Sequence, residues 1–220
     1  MAARPASQQD NQGEIPEVVV TRLPQYIRIL SSLLKEGTEM VNSQQLGEVL
    51  QITPAQIRKD LSYFGRFGKQ GRGYSVRHLL VELKEIIGLN KRWNVGLLGV
   101  GRLGRAILSY PGFAPEGFHI IAAFDADRRV IGRTIGNLKV QSMEELDETV
   151  KTLNIRIGIV AVPGEYAQQV IDRLMQCGVK AILNYAPISP QSQEGVKIRN
   201  IDPVVSLQTM TFYLNSGPHS

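Results

Sequence analysis

The pattern Gly-Val-Gly-Arg-Leu-Gly at residues 99–104 sets the tightest limit on the fold of this chain. A short apolar run at 95–98 precedes it, and a stretch with helical character at 105–109 follows it. A second apolar run ends at Asp125, 21 residues beyond the last glycine. Gly-x-Gly-x-x-Gly is a weak signal alone. Between a strand and a helix, with an acidic residue about 20 positions later, it is typical of a dinucleotide-binding βαβ unit.

Each glycine of this pattern has a physical role in such a unit. Gly99 permits the turn, Gly101 lets the backbone approach a pyrophosphate, and Gly104 lets the helix pack closely on the strand. Amides at the helix N-terminus stabilise the anion, which adds Arg102 and Leu103 to the predicted dinucleotide contacts. The alternative is a Rossmann-like unit whose pocket is empty or takes a different ligand.

Asp125 is predicted to accept hydrogen bonds from the ribose of an adenosine. A carboxylate at this place repels a 2′-phosphate, which favours NAD(H) over NADP(H). Arg128 and Arg129, close by in the sequence, argue in the other direction. We expect NADH and NAD⁺ to be the bound cofactors.

Apolar runs and helical segments continue to alternate up to about residue 200. A strand at 156–162, a helix through Cys177 and a strand at 180–185 imply a parallel sheet wound by helices. Little of the chain is left for a substrate-binding region or for a proton-transfer residue beside a nicotinamide. The dinucleotide is therefore predicted to be a signal, and no catalytic residue is assigned. A compact NAD-dependent oxidoreductase is the main rival.

Three helices are predicted in the first third of the chain, the first of about three turns behind Pro24. The third helix has Thr53 as its N-cap, Pro54 at its first position and Gln56 placed to complete a capping box. The short link at 51–53 between the second and third helices is typical of a helix-turn-helix. In that motif the second helix enters a major groove of DNA.

The third helix separates an apolar face from a basic one. At helical spacing, Ile57, Leu61 and Phe64 fall on one side. The residues on the other side, predicted to contact DNA, are Arg58, Lys59, Ser62 and Tyr63. Residues 58–77 include six basic residues and one acidic residue. Their net charge of +5 equals the formal net charge of the whole chain. Such a local excess is expected for contact with a polyanion, and a merely solvated basic surface is the alternative.

A glycine-rich segment at 65–74 is predicted to form a hairpin wing with Lys69 and Arg72 at its tip. A cationic tip of this kind lies along phosphates or in a narrow minor groove and adds salt-dependent affinity. Arg22 and Tyr26, at the start of the first helix, are predicted to contact the DNA backbone as well.

The segment that begins at residue 201 is predicted to join subunits. Asp202 is placed as an N-cap and Pro203 takes the first helical position. Apolar residues then occupy most of the circumference of a helix at 204–214. We expect this helix to pack between the subunits of a homodimer, which would place two recognition helices on a palindromic site. Burial within its own subunit is the alternative.

Composition excludes several classes of protein. One cysteine cannot close a disulfide within the chain, and the three histidines lie far apart, so no metal site is predicted. No run of 18 apolar residues exists to span a bilayer. The polar segment at 1–14 lacks the apolar core of a signal peptide. We expect a cytoplasmic protein with no membrane partner.

Together these motifs resemble those of the Rex family of redox-sensing transcriptional repressors. Four pieces carry the resemblance: Arg-Leu-Pro-Gln-Tyr at 22–26, Arg-Lys-Asp-Leu-Ser-Tyr-Phe-Gly at 58–65, the glycine pattern at 99–104 and Asn-Tyr-Ala-Pro at 184–187. The resemblance implies a homodimer whose C-terminal helix is exchanged between subunits. It also implies repression of fermentation and respiration genes, with release of the operator DNA when NADH accumulates.

The resemblance further implies a polar group that differs between liganded states, and by position its members are Arg102, Tyr110 and Asp202. Pro203 departs from the family, in which an apolar residue that faces the nicotinamide is common at this place. Tyr185 is a milder departure. Local chemistry gives Asp202 the competing role of a helix cap and Tyr110 that of a loop-packing residue.

The predicted fold is α/β, with a winged helix-turn-helix, a Rossmann-like parallel sheet and an exchanged C-terminal helix. The predicted parts are a disordered tail at 1–14, a DNA-binding domain at 15–88, a dinucleotide-binding domain at 89–200, and a dimerisation helix with its tail at 201–220. The predicted function is a repressor that NADH releases from DNA. A regulator that responds to CoA or another adenine nucleotide is a second rival.

Overall fold

The computed structural model of the protein describes residues 15–69 and 73–215. The chain divides into two compact units, Met1–Asn90 and Lys91–Ser220. Among the predicted DNA contacts, Arg72 and the side chain of Lys69 lie outside the described residues, as does the predicted tail.

The first unit is a winged helix. Its elements are α1 (Glu17–Lys35), β1 (Met40–Val41), α2 (Ser43–Leu50), α3 (Pro54–Ser62), β2 (Gly68–Lys69), β3 (Gly73–Ser75) and α4 (Val76–Ile86). The three short strands pair antiparallel in the order β1-β3-β2. Strands β2 and β3 are the two arms of the predicted wing, and α2 and α3 form the predicted helix-turn-helix. The fold predicted for this part of the chain is confirmed.

Helix α1 is longer than predicted and contains Pro24 in its interior. A proline removes one backbone hydrogen bond and costs about 3 kcal/mol inside a helix. The apolar face nevertheless continues on both sides of it, since Val19 is 3% and Leu23 is 1% exposed. Burial of each such side chain contributes about 1.5–3 kcal/mol. Tertiary packing therefore offsets the cost of Pro24, so α1 continues past the residue at which the sequence alone predicts its start.

The second unit alternates strands and helices as predicted. Its elements are β4 (Trp93–Leu98), α5 (Arg102–Ser109), β5 (Phe118–Asp125), β6 (Thr134–Ile135), β7 (Leu138–Ser142), α6 (Leu146–Thr152), β8 (Ile157–Val160), α7 (Gly164–Gln176), β9 (Ala181–Asn184), β10 (Lys197–Asn200) and α8 (Pro203–Asn215). Short 3₁₀ turns precede β5 and α6.

One seven-stranded sheet spans this unit in the order β10-β9-β8-β4-β5-β7-β6. Among the described strands all neighbours are parallel except β6, which pairs antiparallel with β7. The α/β fold class is confirmed. Because β5 and β8 lie on opposite sides of β4, the strand order reverses there. Ligands of such sheets bind in the crevice at the carboxyl ends of the strands at this reversal.

Helix α8 is apolar, yet each of its residues is exposed in the single chain. Leu207 is 61% and Leu214 is 80% exposed. Burial of this helix within its own subunit, the alternative drawn from the sequence, is therefore wrong. Neither α8 nor any other helix within 15–69 and 73–215 is long and apolar enough to cross a membrane.

Candidate functional site

The glycine loop after β4 leaves no room for side chains at two of its three glycines. Gly99 has a φ of +92°, and a Cβ there would lie 2.5 Å from the carbonyl oxygen of Ala161. A Cβ on Gly104 would collide with the carbonyl oxygen of Gly99. The backbone of the loop therefore lies close against the segment that follows β8, and α5 lies close against the loop. This geometry agrees with the turn and packing roles predicted for the two residues.

Gly101 differs, because the chain itself does not need a glycine at that position. Its φ is −73°, which any residue adopts, and a Cβ would meet no atom within 4 Å. The missing side chain therefore keeps the space in front of the loop open. A pyrophosphate that approaches the backbone would need this space, so the geometry fits the predicted ligand independently of the motif.

Helix α5 begins at this loop, and no side chain caps its N-terminus. The first amides of a helix lack partners within the helix, and the helix dipole adds partial positive charge, so such an end attracts anions. Arg102, the first residue of α5, is exposed and adds a full charge. The loop and the helix end together can hold a phosphate group.

A cavity of about 860 Å³ opens at the glycine loop, where β4, β5 and β8 end. Its volume lies within the range of about 300–1,000 Å³ that is usual for ligand pockets. The predicted dinucleotide contacts that line it are Gly99, Gly101, Arg102 and Asp125. Within the described part of the chain, no group of three or more His, Cys, Asp and Glu side chains is placed to hold a metal ion.

Asp125, at the end of β5, fastens the glycine loop to the neighbouring strand. Its Oδ2 accepts a hydrogen bond from the Val100 amide over 2.7 Å, and its Oδ1 accepts one from the Asp127 amide over 2.8 Å. Each carboxylate oxygen has two lone pairs, so one remains on each for a hydroxyl group. Asp125 thus has a structural role in addition to the predicted ribose contact, which the geometry still permits.

One of the two arginines that follow Asp125 in the sequence is paired with a carboxylate. Arg129 donates from Nε and Nη2 to the Asp127 carboxylate, with Nη2–Oδ2 at 2.8 Å. The hydrogen bonds from Arg129 lower the pKa of Asp127. Because its guanidinium is paired with this carboxylate, Arg129 is a weaker candidate for a 2′-phosphate partner than its place in the sequence indicates. The preference for NAD(H) over NADP(H) stays a prediction.

Four other predicted contacts lie outside the cavity lining, namely Leu103, Gly104, Tyr110 and Asp202. The Tyr110 ring packs edge-on against Phe113, with centroids 5.2 Å apart. Asp202 caps α8, since its Oδ1 accepts a hydrogen bond from the Val204 amide over 2.8 Å. Within one chain, each therefore has the role that local chemistry assigns to it. Of the predicted polar group, Arg102 lines this cavity, whereas Tyr110 and Asp202 do not.

One face of α7 forms a wall of the cavity that the sequence did not predict. Tyr166, Gln169, Val170 and Arg173 line it, at the i, i+3, i+4 and i+7 positions of one helix face. They reach the cavity because β8, which precedes α7, lies directly beside β4. The helical spacing is visible in the sequence, but only the order of the strands identifies the face that points to the ligand.

Asp147 of α6 holds Arg173 at this wall. Arg173 Nε donates to Asp147 Oδ1 over 3.4 Å, and Cys177 Sγ, one turn further along the chain, donates to the same oxygen over 2.8 Å. Hydrogen bonds from Cys177 and Arg173 lower the pKa of Asp147. Burial, together with the hydrogen bond to this carboxylate, raises the pKa of the Cys177 thiol to about 11.

We therefore expect Cys177 to react slowly with iodoacetamide at pH 8. The thiolate is the nucleophile, and a pKa raised from 9.0 to about 11 leaves about 100-fold less thiolate than in an ordinary cysteine. Mass spectrometry of the folded protein over time measures the rate, and the same protein unfolded in urea is the control. Equal rates in the two states would contradict the hydrogen bond to Asp147.

In the first unit, α3 begins where the sequence predicts. Thr53 Oγ1 accepts a hydrogen bond from the Gln56 amide over 3.2 Å, and Pro54 takes the first helical position. The predicted capping box is wrong, because the Gln56 side chain does not return to Thr53. Its Nε2 donates instead to Asp60 Oδ1 over 2.6 Å.

The predicted core face and basic face of α3 are both present. Ile57 is 0% and Leu61 is 3% exposed. The predicted DNA contacts on the other side, exposed except for the half-buried Tyr63, are Arg58, Lys59, Ser62 and Tyr63. Arg58 Nη1 donates to Ser43 Oγ over 2.8 Å, which holds its guanidinium beside the start of α2. The exposed face of α3 can therefore present cations and hydrogen-bond donors to a polyanion.

Arg22 and Tyr26 both bind the carboxylate of Asp60. Tyr26 is 1% exposed, and its hydroxyl donates to Asp60 Oδ2 over 2.7 Å. Arg22 donates from Nε and Nη2 to the two oxygens of the same carboxylate, over 2.6 and 2.7 Å. Burial contradicts the predicted DNA contact of Tyr26. The Arg22 side chain is paired with Asp60 but keeps 18% exposure, so its contact with the DNA backbone stays a prediction.

Two family profiles match the chain. One, described as "Putative DNA-binding protein N-terminus", covers residues 14–62. The other, described as "CoA binding domain", covers residues 90–188. The first match ends with α3, and the second includes the glycine loop, the end of β5 and α7.

Curated relatives match over nearly their whole length. "Redox-sensing transcriptional repressor Rex" of Roseiflexus sp. (strain RS-1) is 50% identical over 215 residues, which are 96% of this chain and 98% of that protein. The protein of the same name from Chloroflexus aurantiacus (strain ATCC 29366 / DSM 635 / J-10-fl) is 50% identical over 199 residues, 90% of this chain and 94% of its own.

Solved structures of RSP, described as a Rex-family repressor, share the fold. RSP in complex with β-NAD⁺ and operator DNA has a TM-score of 0.89 and 37% identity, over 93% of this chain and 94% of that one. RSP in complex with β-NADH has a TM-score of 0.82 and 35% identity, over 93% and 96%. With both structural units matched and half of the residues identical to the curated relatives, this chain belongs to the Rex family of redox-sensing transcriptional repressors.

Proposed function

We propose that the protein is a transcriptional repressor that senses the NADH/NAD⁺ ratio. As a homodimer it binds a palindromic operator, and it leaves this DNA when NADH occupies its second unit. Membership of the Rex family over nearly the full chain is the observation that carries the proposal. A repressor acts where the genome lies, so its place is the cytoplasm.

The exposed face of α3 reads the operator in the major groove. Arg58 suits a guanine, to which a guanidinium can donate two hydrogen bonds, and Lys59 suits a phosphate. The wing formed by β2 and β3 lies along the phosphates. Lys69 and Arg72, the cations that the sequence predicts for its tip, stay predicted phosphate contacts. In a two-fold dimer, two copies of α3 meet half-sites about 34–36 Å apart.

The cavity of the second unit receives the dinucleotide. The space at Gly101 and the uncapped start of α5 suit the pyrophosphate, and Asp125 suits the ribose of the adenosine. The bound cofactor supplies a nicotinamide ring that is positively charged in NAD⁺ and neutral in NADH. Arg102, itself a cation at the cavity, disfavours the charged ring relative to the neutral one.

Exposure of α8 supports the homodimer. An apolar helix left in water is unfavourable, and a second copy of the chain offers the same surface across a two-fold axis. Pairing through α8 also gives the two α3 helices the symmetry of a palindromic operator.

The name of the second family profile favours one other candidate, a regulator that responds to CoA. CoA and NADH both contain a pyrophosphate and an adenosine, so the contacts at Gly101 and Asp125 do not separate them. An oxidoreductase has less support, because the relatives are named as repressors.

The experiment that separates these candidates uses a duplex chosen by the protein itself. The protein selects from a random duplex library, and the enriched inverted repeat, here termed the enriched duplex, is titrated with NADH, NAD⁺, NADPH and CoA. We expect NADH to weaken binding about 5–150-fold, the usual range of allosteric coupling. Release by CoA but not by NADH would favour the CoA regulator. Oxidation of NADH by an added carbonyl compound, which would accept the hydride, would favour the enzyme.

An Arg58→Ala variant is expected to lose discrimination between DNA sequences. A lost bidentate contact with a base costs about 1–3 kcal/mol, or about 5–150-fold in affinity for the enriched duplex. Fluorescence anisotropy with the enriched and a random duplex measures the ratio. Lys35→Ala is the matched control, since this exposed lysine lies in the last turn of α1. Equal losses on both duplexes for Arg58→Ala would refute the base contact.

A further inference from the structure

Asp60, the one acidic residue within 58–77, is completely buried in the last turn of the DNA-reading helix α3. Its relative exposure is 0%, whereas its neighbours Arg58 and Lys59 are exposed. A buried carboxylate without partners is costly, because it loses its hydration. Its presence inside this small unit therefore requires compensation from the surrounding side chains.

Four hydrogen bonds supply that compensation. Asp60 accepts from Arg22 Nε and Nη2, from the Tyr26 hydroxyl and from Gln56 Nε2, at donor–acceptor distances of 2.6–2.7 Å. Burial by itself would raise the pKa of Asp60, but these bonds outweigh it and the pKa is lowered. Burial of the Tyr26 ring, together with its hydrogen bond to Asp60, raises the pKa of Tyr26, so its hydroxyl stays protonated and donates. The carboxylate is ionised and saturated.

These contacts are directional, unlike the apolar contacts around them. Ile57 and Leu61 pack α3 into the core, but apolar contacts tolerate small rotations and shifts of a helix. A guanidinium bound through two hydrogen bonds to both oxygens of a carboxylate is restricted to a narrow range of orientations. Two of the three partner side chains, Arg22 and Tyr26, come from α1, so the cluster fixes the rotation and height of α3 relative to α1.

We propose that the cluster of Asp60, Arg22, Tyr26 and Gln56 is a positioning device that gives the protein its discrimination between operator and other DNA. The inference rests on the proposed function, since it requires α3 to read bases. Arg58 and Lys59 directly precede Asp60, so an error in its placement moves both exposed side chains. A base contact demands accurate placement, whereas a phosphate contact tolerates displacement. Buried ion pairs in general add little net stability over apolar side chains of similar size.

The first test measures Asp60→Asn, which keeps the shape of the side chain and removes its charge. Affinities for the enriched duplex and for a random duplex of equal length are measured on folded protein at one salt concentration. We expect the ratio of the two affinities to fall at least about tenfold, with random-duplex affinity changed less than about twofold. Glu85→Gln is the control, because it removes a carboxylate from an exposed position of α4.

A second variant guards against a failure to fold. Tyr26→Phe deletes only the hydroxyl that donates to Asp60 and leaves the ring in the core. We expect a smaller fall of the same ratio, about threefold, and an unchanged dependence of random-duplex binding on salt. Arg22→Met combined with Asp60→Leu removes the ion pair as a whole, and we expect this variant to fold but to discriminate poorly.

The outcomes separate this inference from the proposed function. A lower melting temperature with an unchanged affinity ratio in Asp60→Asn and Tyr26→Phe would overturn the inference and leave the cluster a stabilising element only. An equal loss on both duplexes would overturn it as well. Failure of the unaltered protein to enrich any duplex would instead overturn the proposed function, before any variant is compared.

Discussion

A Gly101→Val variant is expected to fold and to bind the enriched duplex, but not to respond to NADH. The backbone at this residue suits valine, with a φ of −73°, and its Cβ would meet no atom within 4 Å. The new side chain fills the space that a dinucleotide needs. We expect NADH affinity to fall at least about 100-fold, which is about 2.7 kcal/mol. Titration of NADH fluorescence and thermal unfolding measure the two effects.

Gly99→Val makes the same substitution two positions earlier and is the matched contrast. There φ is +92°, and a Cβ would lie 2.5 Å from the Ala161 carbonyl oxygen. We expect a clear fall in melting temperature for this variant, and little change for Gly101→Val. Normal NADH affinity in Gly101→Val would show that the pyrophosphate does not bind at this loop.

A Leu207→Glu/Leu214→Glu variant is expected to be a monomer. The two leucines lie seven positions apart on one side of α8 and are 61% and 80% exposed in the single chain. Burial of each leucine in the interface stabilises the dimer by about 1.5–3 kcal/mol. Both subunits of a two-fold dimer bury the same leucines, so each contribution occurs twice. A carboxylate in the interface adds the cost of burying a charge. Sedimentation velocity measures the oligomeric state.

Loss of the dimer is expected to weaken binding to the enriched duplex far more than binding to a single half-site. Once one subunit of a dimer is bound, the other binds its half-site without a second association from solution. This typically raises the affinity for the whole site 10²–10⁴-fold, which is about 2.7–5.5 kcal/mol. Gln208→Glu is the control, because it adds the same charge at a polar position of α8. A double-glutamate variant that remained dimeric would refute pairing through this helix.

The glycine loop and the start of α3 were predictable because their signals are local. Positions of Gly99, Gly104 and Thr53 depend on backbone conformation and close contacts within a few residues, and the sequence carries those rules directly. The apolar circumference of α8 likewise predicted a helix that needs a partner, and the single chain leaves it exposed.

Hydrogen bonds between residues far apart in the sequence explain the site residues that sequence reasoning placed incorrectly or missed. The sequence predicts a DNA contact for Tyr26, which is buried instead, because its partner Asp60 lies 34 positions away. The pairing of Arg22 with the same carboxylate, 38 positions away, is equally invisible in the local sequence. One signal was available: Asp60 is three positions after Ile57 and directly before Leu61, so helical spacing places it close to the apolar stripe. The cavity wall formed by α7 had no such signal, since it follows from the order of strands in the sheet.

The central claim, that the nucleotide cavity and the DNA-reading unit are coupled, is tested most directly by a binding cycle. The Kd for NADH is measured without and with a saturating amount of the enriched duplex, and the Kd for the duplex is measured without and with saturating NADH. Linkage requires both constants to rise by one common factor, expected to be about 5–150-fold. An NADH affinity that is identical with and without the duplex would contradict the claim.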